Sequence, residues 1–392
     1  LKKGLGNGFY TLLIAQFLSA VADNALLFAA IALLHQLQAP SWHEPLLREF
    51  FIISYVVLAP FVGPFADALP KGKVMFLSNG IKFFGCVLAL AGVPPLYAYA
   101  IVGVGAAAYS PAKYGILTEM LPTCDLIKAN GWMEGTTVTA IILGPVLGAH
   151  ISANDPYFGI AVITALYMLA ALFNYHIPKM PIDHRVPQRT LGFILRDFWH
   201  AFTTLWKDTQ GQLSLAVTTL FWGAGATLQF VVLKWANIYL GFDQPAATKL
   251  IAVLAVGIAV GSVVASVQVR LEEAAKVLPA GTYMGLLVVG MIFVHDPIFA
   301  AVLLFLIGAL AGYFLVPLNS LLQHRGHQLL GAGHSIAVQN FNENIGILLM
   351  LGAYTWMVGQ NFAINHIIII FGLFIAFSMA FISQLYRKHL QQ

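Results

Sequence analysis

Hydrophobic residues in this chain do not alternate with polar ones. They come in long unbroken runs separated by short polar breaks. Twelve runs stand out, near 9–35, 49–69, 74–93, 96–121, 130–152, 157–177, 212–240, 246–270, 278–294, 297–323, 334–359 and 363–386. A bilayer-spanning helix needs about 20 mostly apolar residues, and each run has roughly that length. A transmembrane barrel would instead show alternating segments of about 10 residues. The pattern therefore predicts an all-α membrane protein with twelve transmembrane helices. The first run is too long and lacks the small-residue cleavage site of a signal peptide, so it reads as a span.

The longest polar stretch, 178–211, begins with Pro178 and Pro181. Within it Leu191, Ile194, Leu195, Phe198, Phe202 and Leu205 recur at helical spacing, beside Trp199, Trp206, Arg196 and Lys207. This stretch predicts an amphipathic helix on the membrane surface. It divides the chain into a six-helix half at 1–177, a linker at 178–211 and a second six-helix half at 212–392.

Composition agrees with the runs: 59% of residues are hydrophobic, only 9% are charged, and mean hydropathy is +0.81. With the N-terminus in the cytosol, fifteen basic residues fall on the cytosolic side: Lys2, Lys3, Lys71, Lys73, Lys128, Lys179, Arg185, Arg189, Arg196, Lys207, Arg270, Lys276, Arg325, Arg387 and Lys388. Only Arg48 and Lys249 fall outside, and Lys82, Lys113 and Lys234 fall within the membrane. That bias places both termini in the cytosol. The net charge of +4 thus reports topology. The basic residues are scattered over separate loops, so nucleic acid is not expected as a partner. Cys86 and Cys124 match no disulfide framework or metal motif, and no nucleotide loop is present. "HISAND" at 150–155 has the His-Asp spacing of an acyltransferase. It sits at the outer end of a span without supporting glycine or arginine motifs and reads as chance, so no enzyme activity and no cofactor are expected. His324, Arg325 and His327 read as a topogenic loop.

The halves resemble each other. "FLSAVADNALLF" (17–28) aligns with "FWGAGATLQFVV" (221–232), Pro111 with Pro317, and Glu134 with Glu343, at offsets of 204, 206 and 209 residues. Tandem six-helix repeats are the signature of major facilitator transporters, whose halves rock about a midplane site. The loop "GPFADALPKGKV" (63–74) resembles that superfamily's G-x-x-x-D and basic-cluster motif through Gly63, Asp67, Lys71 and Lys73. Ala68 and Pro70 stand where a basic residue and a glycine are usual. Gly63 predicts a close helix approach. Asp67 is placed to cap a helix end or to pair across the boundary between halves, as part of a gate.

Ionisable residues inside a membrane are functional candidates by default. Asp23 lies roughly 20 Å into the first span at 1.5 Å per residue, followed by Asn24. Lys113 lies roughly 13 Å deep, between the helix-weakening Pro111 and Gly115. The expectation is that Lys113 pairs with Asp23 when the site is empty and releases to a phosphate when it is filled. Lys82 is a further candidate. Glu119, near a helix end, suits a solvated or gate-pairing role, and Glu134 lies near the interface. Gln339, Asn340, Asn342, Glu343 and Asn344 crowd one and a half helical turns, which suggests cross-helix hydrogen bonding or an aqueous path. Gln229 faces the same space in the second half, and Lys234 could reach the outer interface.

"AQFLSAVADNALLF" (15–28), "GVGAAAYSPAKYGILTE" (103–119), "KANGWMEG" (128–135), "LFWGAGATL" (220–228) and "LGAGHSIAVQNFNEN" (330–344) together resemble the bacterial lysophospholipid transporter (LplT) family of the major facilitator superfamily. They also resemble transporter halves fused to glycerolipid acyltransferases and acyl-carrier ligases. The resemblance covers nearly the whole chain. It implies movement of lysophosphatidylethanolamine and related lysolipids from the outer to the inner leaflet of the bacterial cytoplasmic (inner) membrane. There a cytosolic-face acyltransferase/acyl-ACP synthetase (Aas) restores the missing chain. Asp23, Asn24, Lys113, Tyr114, Glu134 and Glu343 occupy the family's motif positions. Gln229 departs from it, standing where the family often has a basic residue. The chain is expected to work as a monomer, with a proton or sodium as candidate coupling ion. The alternative is a proton-coupled drug or metabolite exporter of the same fold. A membrane scaffold that recruits an acyltransferase and transports nothing is a third reading.

Overall fold

The computed structural model is all-helical and describes residues 6–40, 43–182 and 190–390. Lys2, Lys3, Arg185 and Arg189, counted above for orientation, lie outside these residues. Among the described residues thirteen α-helices follow in order: α1 (Asn7–Gln36), α2 (His43–Ala68), α3 (Lys71–Leu90), α4 (Pro95–Met120), α5 (Leu126–Ser152), α6 (Pro156–Tyr175), α7 (Leu191–Lys207), α8 (Thr209–Leu240), α9 (Gln244–Gln268), α10 (Leu278–Gly290), α11 (Pro297–Leu329), α12 (Ala332–Gly359) and α13 (Ile364–Leu390). Each of the twelve apolar runs coincides with a helix, and α7 is the expected helix of the polar stretch. Ten helical segments among the described residues are long and apolar enough to cross a membrane. The two other long helices, α4 and α12, have 26 and 28 residues. They fall short in hydropathy because Tyr109, Ser110, Pro111 and Lys113 dilute one and the Gln339–Asn344 cluster dilutes the other.

Helix ends follow local chemistry. Asp155, Asp208 and Asp243 cap α6, α8 and α9, accepting hydrogen bonds from the N–H groups of Tyr157, Gly211 and Ala246. Each satisfies a donor that the helix itself cannot. Gly241, at φ +65°, closes α8 in the left-handed conformation that glycine adopts without penalty. Pro111 and Pro317, aligned in the internal repeat, both lie inside helices, α4 and α11.

The chain forms two compact units. One comprises Leu1–Pro122, Thr139–Thr204 and Gly326–Phe341; the other comprises Thr123–Val138, Leu205–Arg325 and Asn342–Gln392. The start of α12 therefore belongs with α1–α4, and the start of α5 with α8–α11. In the first unit, Ala22, Ala25, Leu26, Ala29 and Leu33 of α1 are buried with Cys86 of α3, Val102 of α4 and Ile163 and Tyr167 of α6. Alanine at this seam lets backbones approach closely. That matters in lipid, where helices gain little from hydrophobic burial and associate through packing. In the second unit, Gly257 and Gly261 of α9 sit against the backbone carbonyls of Phe305 and Ala309 in α11, and Gly308 and Gly312 return the contact against Leu254 and Ile258. A Cβ at any of the four would collide with backbone.

The apolar stripe of α7 divides between two surroundings. Phe198 and Phe202 set their rings edge-on to Phe341 at 5.5 and 6.2 Å between centroids. Leu191, Leu195 and Trp199 point outward and are exposed.

Where α7 meets α8, Asp208 also takes Arg325 in a fork. Nε lies 3.0 Å from both carboxylate oxygens and Nη2 lies 2.7 Å from Oδ1. Burial raises the Asp208 carboxyl. The Arg325 hydrogen bonds and charge, with the Gly211 N–H, outweigh that and hold its pKa below the ordinary carboxylate value. A carboxyl whose folded pKa is depressed stabilises the fold above its unfolded pKa, about 4, and loses that contribution as pH falls toward the folded value. Asp208→Asn keeps a good capping residue but removes the charge and one of the two oxygens that accept from Arg325. At pH 7 it is expected to destabilise by about 1 kcal/mol, given the partial exposure of the pair. Detergent-solubilised thermal unfolding followed from pH 7 to pH 3 should show the gap from wild type closing below about pH 4.

Candidate functional site

Lys82 is completely buried in α3. Around its ammonium, Asp23 Oδ2 of α1 lies at 2.8 Å, Ser19 Oγ at 3.0 Å, and the Tyr109 ring centroid at 4.7 Å. An ammonium has three donors; here two meet oxygens and the third faces an aromatic π-cloud. Tyr167 of α6 donates its hydroxyl to Asp23 Oδ1 at 2.7 Å, and Ser19 donates to Asn79 Oδ1 at 2.8 Å. Gly105 of α4 makes room for the lysine stem, since a Cβ there would come within 2.6 Å of Lys82 Cγ. The pair is asymmetric: the lysine is sealed, while the Asp23 side chain is 22% exposed.

The expected partner of Asp23 was Lys113, and the structure corrects this to Lys82. The reason is geometric. Ser19 and Asp23 are four residues apart on α1, and Asn79 and Lys82 three apart on α3, so each pair shares one helix face. The two polar faces meet. Lys113 instead places its ammonium 4.4 Å over the ring of its neighbour Tyr114. Asn24 turns back to its own helix, donating to the Ala20 carbonyl at 2.8 Å.

A second charged cluster in the same unit holds the start of α12. Asp67, at the end of α2, accepts the backbone N–H groups of Gly333 at 2.8 Å and His334 at 3.0 Å. It caps the first turn of another helix, where backbone donors and the helix dipole favour an anion. Lys71 reaches Asp67 Oδ1 at 2.7 Å, Glu119 Oε1 at 3.0 Å and the Ala66 carbonyl at 2.9 Å. His334 faces Asp67 through Nδ1 and Asp197 of α7 through Nε2. One carboxyl group thus faces each ring nitrogen of the imidazole. The approach depends on Gly63 and Gly333. A Cβ on Gly63 would lie 3.1 Å from His334 Cα, and one on Gly333 would lie 2.6 Å from Asp67 Oδ1. Gly63, Asp67, Lys71 and Glu119 from the sequence motifs thus assemble. Glu119 sits with its side chain 5% exposed, paired and not solvated. Lys73 is exposed and stands outside the cluster.

In the second unit, Asn130 of α5 and Gln323 of α11 exchange two amide hydrogen bonds of 2.9 Å, both side chains fully buried. Glu134 and Glu343 are also buried in this unit, and Trp206 donates to Asn342 Oδ1 at 3.2 Å. The polar run of α12 divides between the units. Gln339 and Asn340 lie in the first, where Asn340 donates to Ser110 Oγ of α4 at 2.9 Å, and Asn342, Glu343 and Asn344 lie in the second. Gln229 is half-buried on α8. Sequence reasoning missed His334, Asp197, Tyr109, Tyr167 and the Asn130–Gln323 clasp. Amides within apolar helices, Asn130 in α5 and Asn319 and Gln323 in α11, were the available signal for the last.

Membrane-length helices that carry interior prolines and paired interior charges define a multi-pass membrane protein. The sequence profile of the Major Facilitator Superfamily matches residues 12–351. The lysophospholipid transporter LplT of Escherichia coli O157:H7 (strain EC4115 / EHEC) is 42% identical over 383 residues, covering 97% of this chain and 96% of that protein. LplT of Escherichia coli O7:K1 (strain IAI39 / ExPEC) is similar to the same extent. A bacterial homologue of the iron transporter ferroportin has the same fold at TM-score 0.76 and 13% identity, covering 99% of this chain and all of that one. The transporter FucP matches at TM-score 0.76 and 14% identity, covering 96% and 98%. The chain belongs to the major facilitator superfamily and, within it, to the lysophospholipid transporter family.

Asp67→Ala would leave Lys71 short of a counter-ion and the first turn of α12 without its acceptor. It is expected to destabilise by about 3–5 kcal/mol, the usual result of breaking a buried ion pair from one side. Lys73→Ala, outside the cluster, should stay within about 0.5 kcal/mol. Unfolding in detergent, read by intrinsic tryptophan fluorescence, compares the two.

Proposed function

We propose that this chain carries lysophosphatidylethanolamine and related lysolipids from the outer to the inner leaflet of the bacterial cytoplasmic membrane by alternating access. Every long helix except α7 crosses the membrane, giving twelve spans with both termini cytosolic, and the basic-residue bias supports that orientation. Residues 1–177 and 212–392 act as the two moving halves. The linker at 178–211 lies on the cytosolic surface, with Leu191, Leu195 and Trp199 of α7 against lipid.

The observation that carries the cargo is the 42% identity, over 97% of the chain, to proteins named lysophospholipid transporters. The asymmetric ion pair suits that cargo. Asp23, with its open edge, takes a head-group amine, and Lys113 on the neighbouring polar helix takes the phosphate. Asn24, Tyr114, Gln229, Gln339, Asn340, Glu343 and Asn344 supply the remaining polar lining, and Lys82 holds Asp23 in place. The acyl chain stays among apolar side chains throughout. The cluster of Gly63, Asp67, Lys71, Glu119 and His334 acts as a gate that releases α12 when the halves rearrange, with Glu134 contributing at the start of α5. The protein works as a monomer and performs no catalysis of its own. The lipid it delivers is the substrate class of an acyltransferase/acyl-ACP synthetase on the cytosolic face.

In proteoliposomes, wild-type protein is expected to move fluorescent lysophosphatidylethanolamine inward well above the rate of protein-free vesicles and to leave diacyl lipid behind. Lys113→Ala should lower that rate about tenfold, the loss of one charge-assisted contact. Wild-type flipping at the background rate would contradict the proposal.

A further inference from the structure

Lys234 poses a separate question. It lies in α8, a helix of membrane length, and is half-buried, yet among the described residues its ammonium makes no ion pair or hydrogen bond. The ammonium does have a space to face. Phe230, Leu233, Lys234 and Asn237 of α8, with Phe242, Asp243 and Ala247 at the turn into α9, line an open cavity of about 270 Å³. Phe230, Lys234 and Asn237 are spaced by four and three residues, so one face of α8 presents all three.

The polar groups around this cavity are held in place. Asn237 donates to the Phe242 carbonyl at 3.0 Å, which pins the turn. Asp243 spends Oδ1 on the Ala246 N–H at 3.0 Å, which fixes its carboxylate. The cavity thus offers a single cation, a single anion, an amide and an apolar wall of Phe230, Leu233 and Phe242. Lys234 and Asp243 line the same space and are not bonded to each other. A ligand that satisfies both must carry a negative and a positive group a short distance apart, on an apolar body.

We propose that this cavity is a docking subsite for a zwitterionic phospholipid head group, with the phosphate on Lys234 and the amine on Asp243. It lies apart from Asp23 and Lys113 in sequence and in unit. The inference rests on the lysolipid reading of the protein and adds a place where the head group is first sorted by charge. An anionic lipid without the amine engages Lys234 alone and meets repulsion from Asp243, so the subsite prefers phosphoethanolamine to phosphoglycerol.

The test uses full-length protein in detergent, titrated with lysophosphatidylethanolamine, lysophosphatidylglycerol or acyl-free glycerophosphoethanolamine, and read by microscale thermophoresis. Flipping is measured on the same protein reconstituted into proteoliposomes. Lys234→Ala should weaken lysophosphatidylethanolamine binding about tenfold, with Lys234→Arg restoring most of it. Asp243→Asn, which keeps the capping oxygen, should erase the preference for the ethanolamine lipid. Lys249→Ala, exposed on α9 and outside the cavity, should change nothing. Glycerophosphoethanolamine should bind far more weakly than the lipid; equal binding would overturn the apolar wall's part and assign the site to a soluble phosphodiester. If wild-type protein flips lysolipid while Lys234→Ala and Asp243→Asn bind both lipids unchanged, the subsite is overturned and the transport reading stands. If wild-type protein does not flip but Lys234→Ala still loses binding, the subsite stands and the transport reading falls.

Discussion

A lysine ammonium with no exposure, on a helix of membrane length, is the constraint around which the first unit is organised. Moving a charge from water into an apolar interior costs several kcal/mol even after relaxation. Lys82 is tolerable only because α1 delivers Asp23 and Ser19 to it, α4 supplies the Tyr109 ring and the gap at Gly105, and α6 orients the carboxylate through Tyr167. Four helices are therefore fixed by one charge. The same rule operates at the end of α2, where Lys71 and His334 share Asp67, and Glu119 and Asp197 complete the balance. Lipid solvates none of these groups, so every one of them finds its partner within the protein.

The two clusters differ in what they hold. The Asp23–Lys82 pair ties helices from the first part of the chain to one another, and one edge of it remains open. The Asp67 cluster and the Asn130–Gln323 clasp instead each hold a helix that begins in one half of the sequence against helices of the other. On the proposed alternating-access cycle these are the contacts that break and reform. Both are suited to that use. They are built from hydrogen bonds with defined geometry and from glycine contacts that tolerate little intermediate displacement, so a helix start is either seated or released.

The architecture was legible in the sequence because lipid imposes length and apolarity on every span. Each of the twelve apolar runs falls on a helix, ten segments among the described residues are long and apolar enough to cross a membrane, and the amphipathic stripe of α7 was readable from its spacing. Gly63, Asp67, Lys71 and Glu119 were also legible, since a loop motif and a helix end set them apart. The identity of Asp23's partner was not. Depth along a helix says how far a charge lies from water but nothing about which helix faces it, and both Lys82 and Lys113 lie within apolar runs. The matching polar spacing of Ser19/Asp23 and Asn79/Lys82 held the answer, but becomes readable only once α1 and α3 are known to be neighbours. His334 and Asp197 escaped for a related reason: each is unremarkable alone, and only the cap that Asp67 forms on α12 brings them together. The stripe on α7 concealed its division between Phe341 and the exterior because periodicity reports a face and not what the face meets.

The most direct test of the central constraint is a double-mutant cycle on Asp23 and Lys82, with unfolding free energy measured in detergent. Asp23→Asn leaves a buried ammonium without its counter-ion and should destabilise by about 3 kcal/mol or more. Lys82→Met should cost less, because Asp23 keeps partial access to solvent. The double variant should recover much of the loss, with a coupling energy of about 1–3 kcal/mol. Strictly additive losses would show that the two side chains are stabilised independently and that the pair does not organise the helices around it.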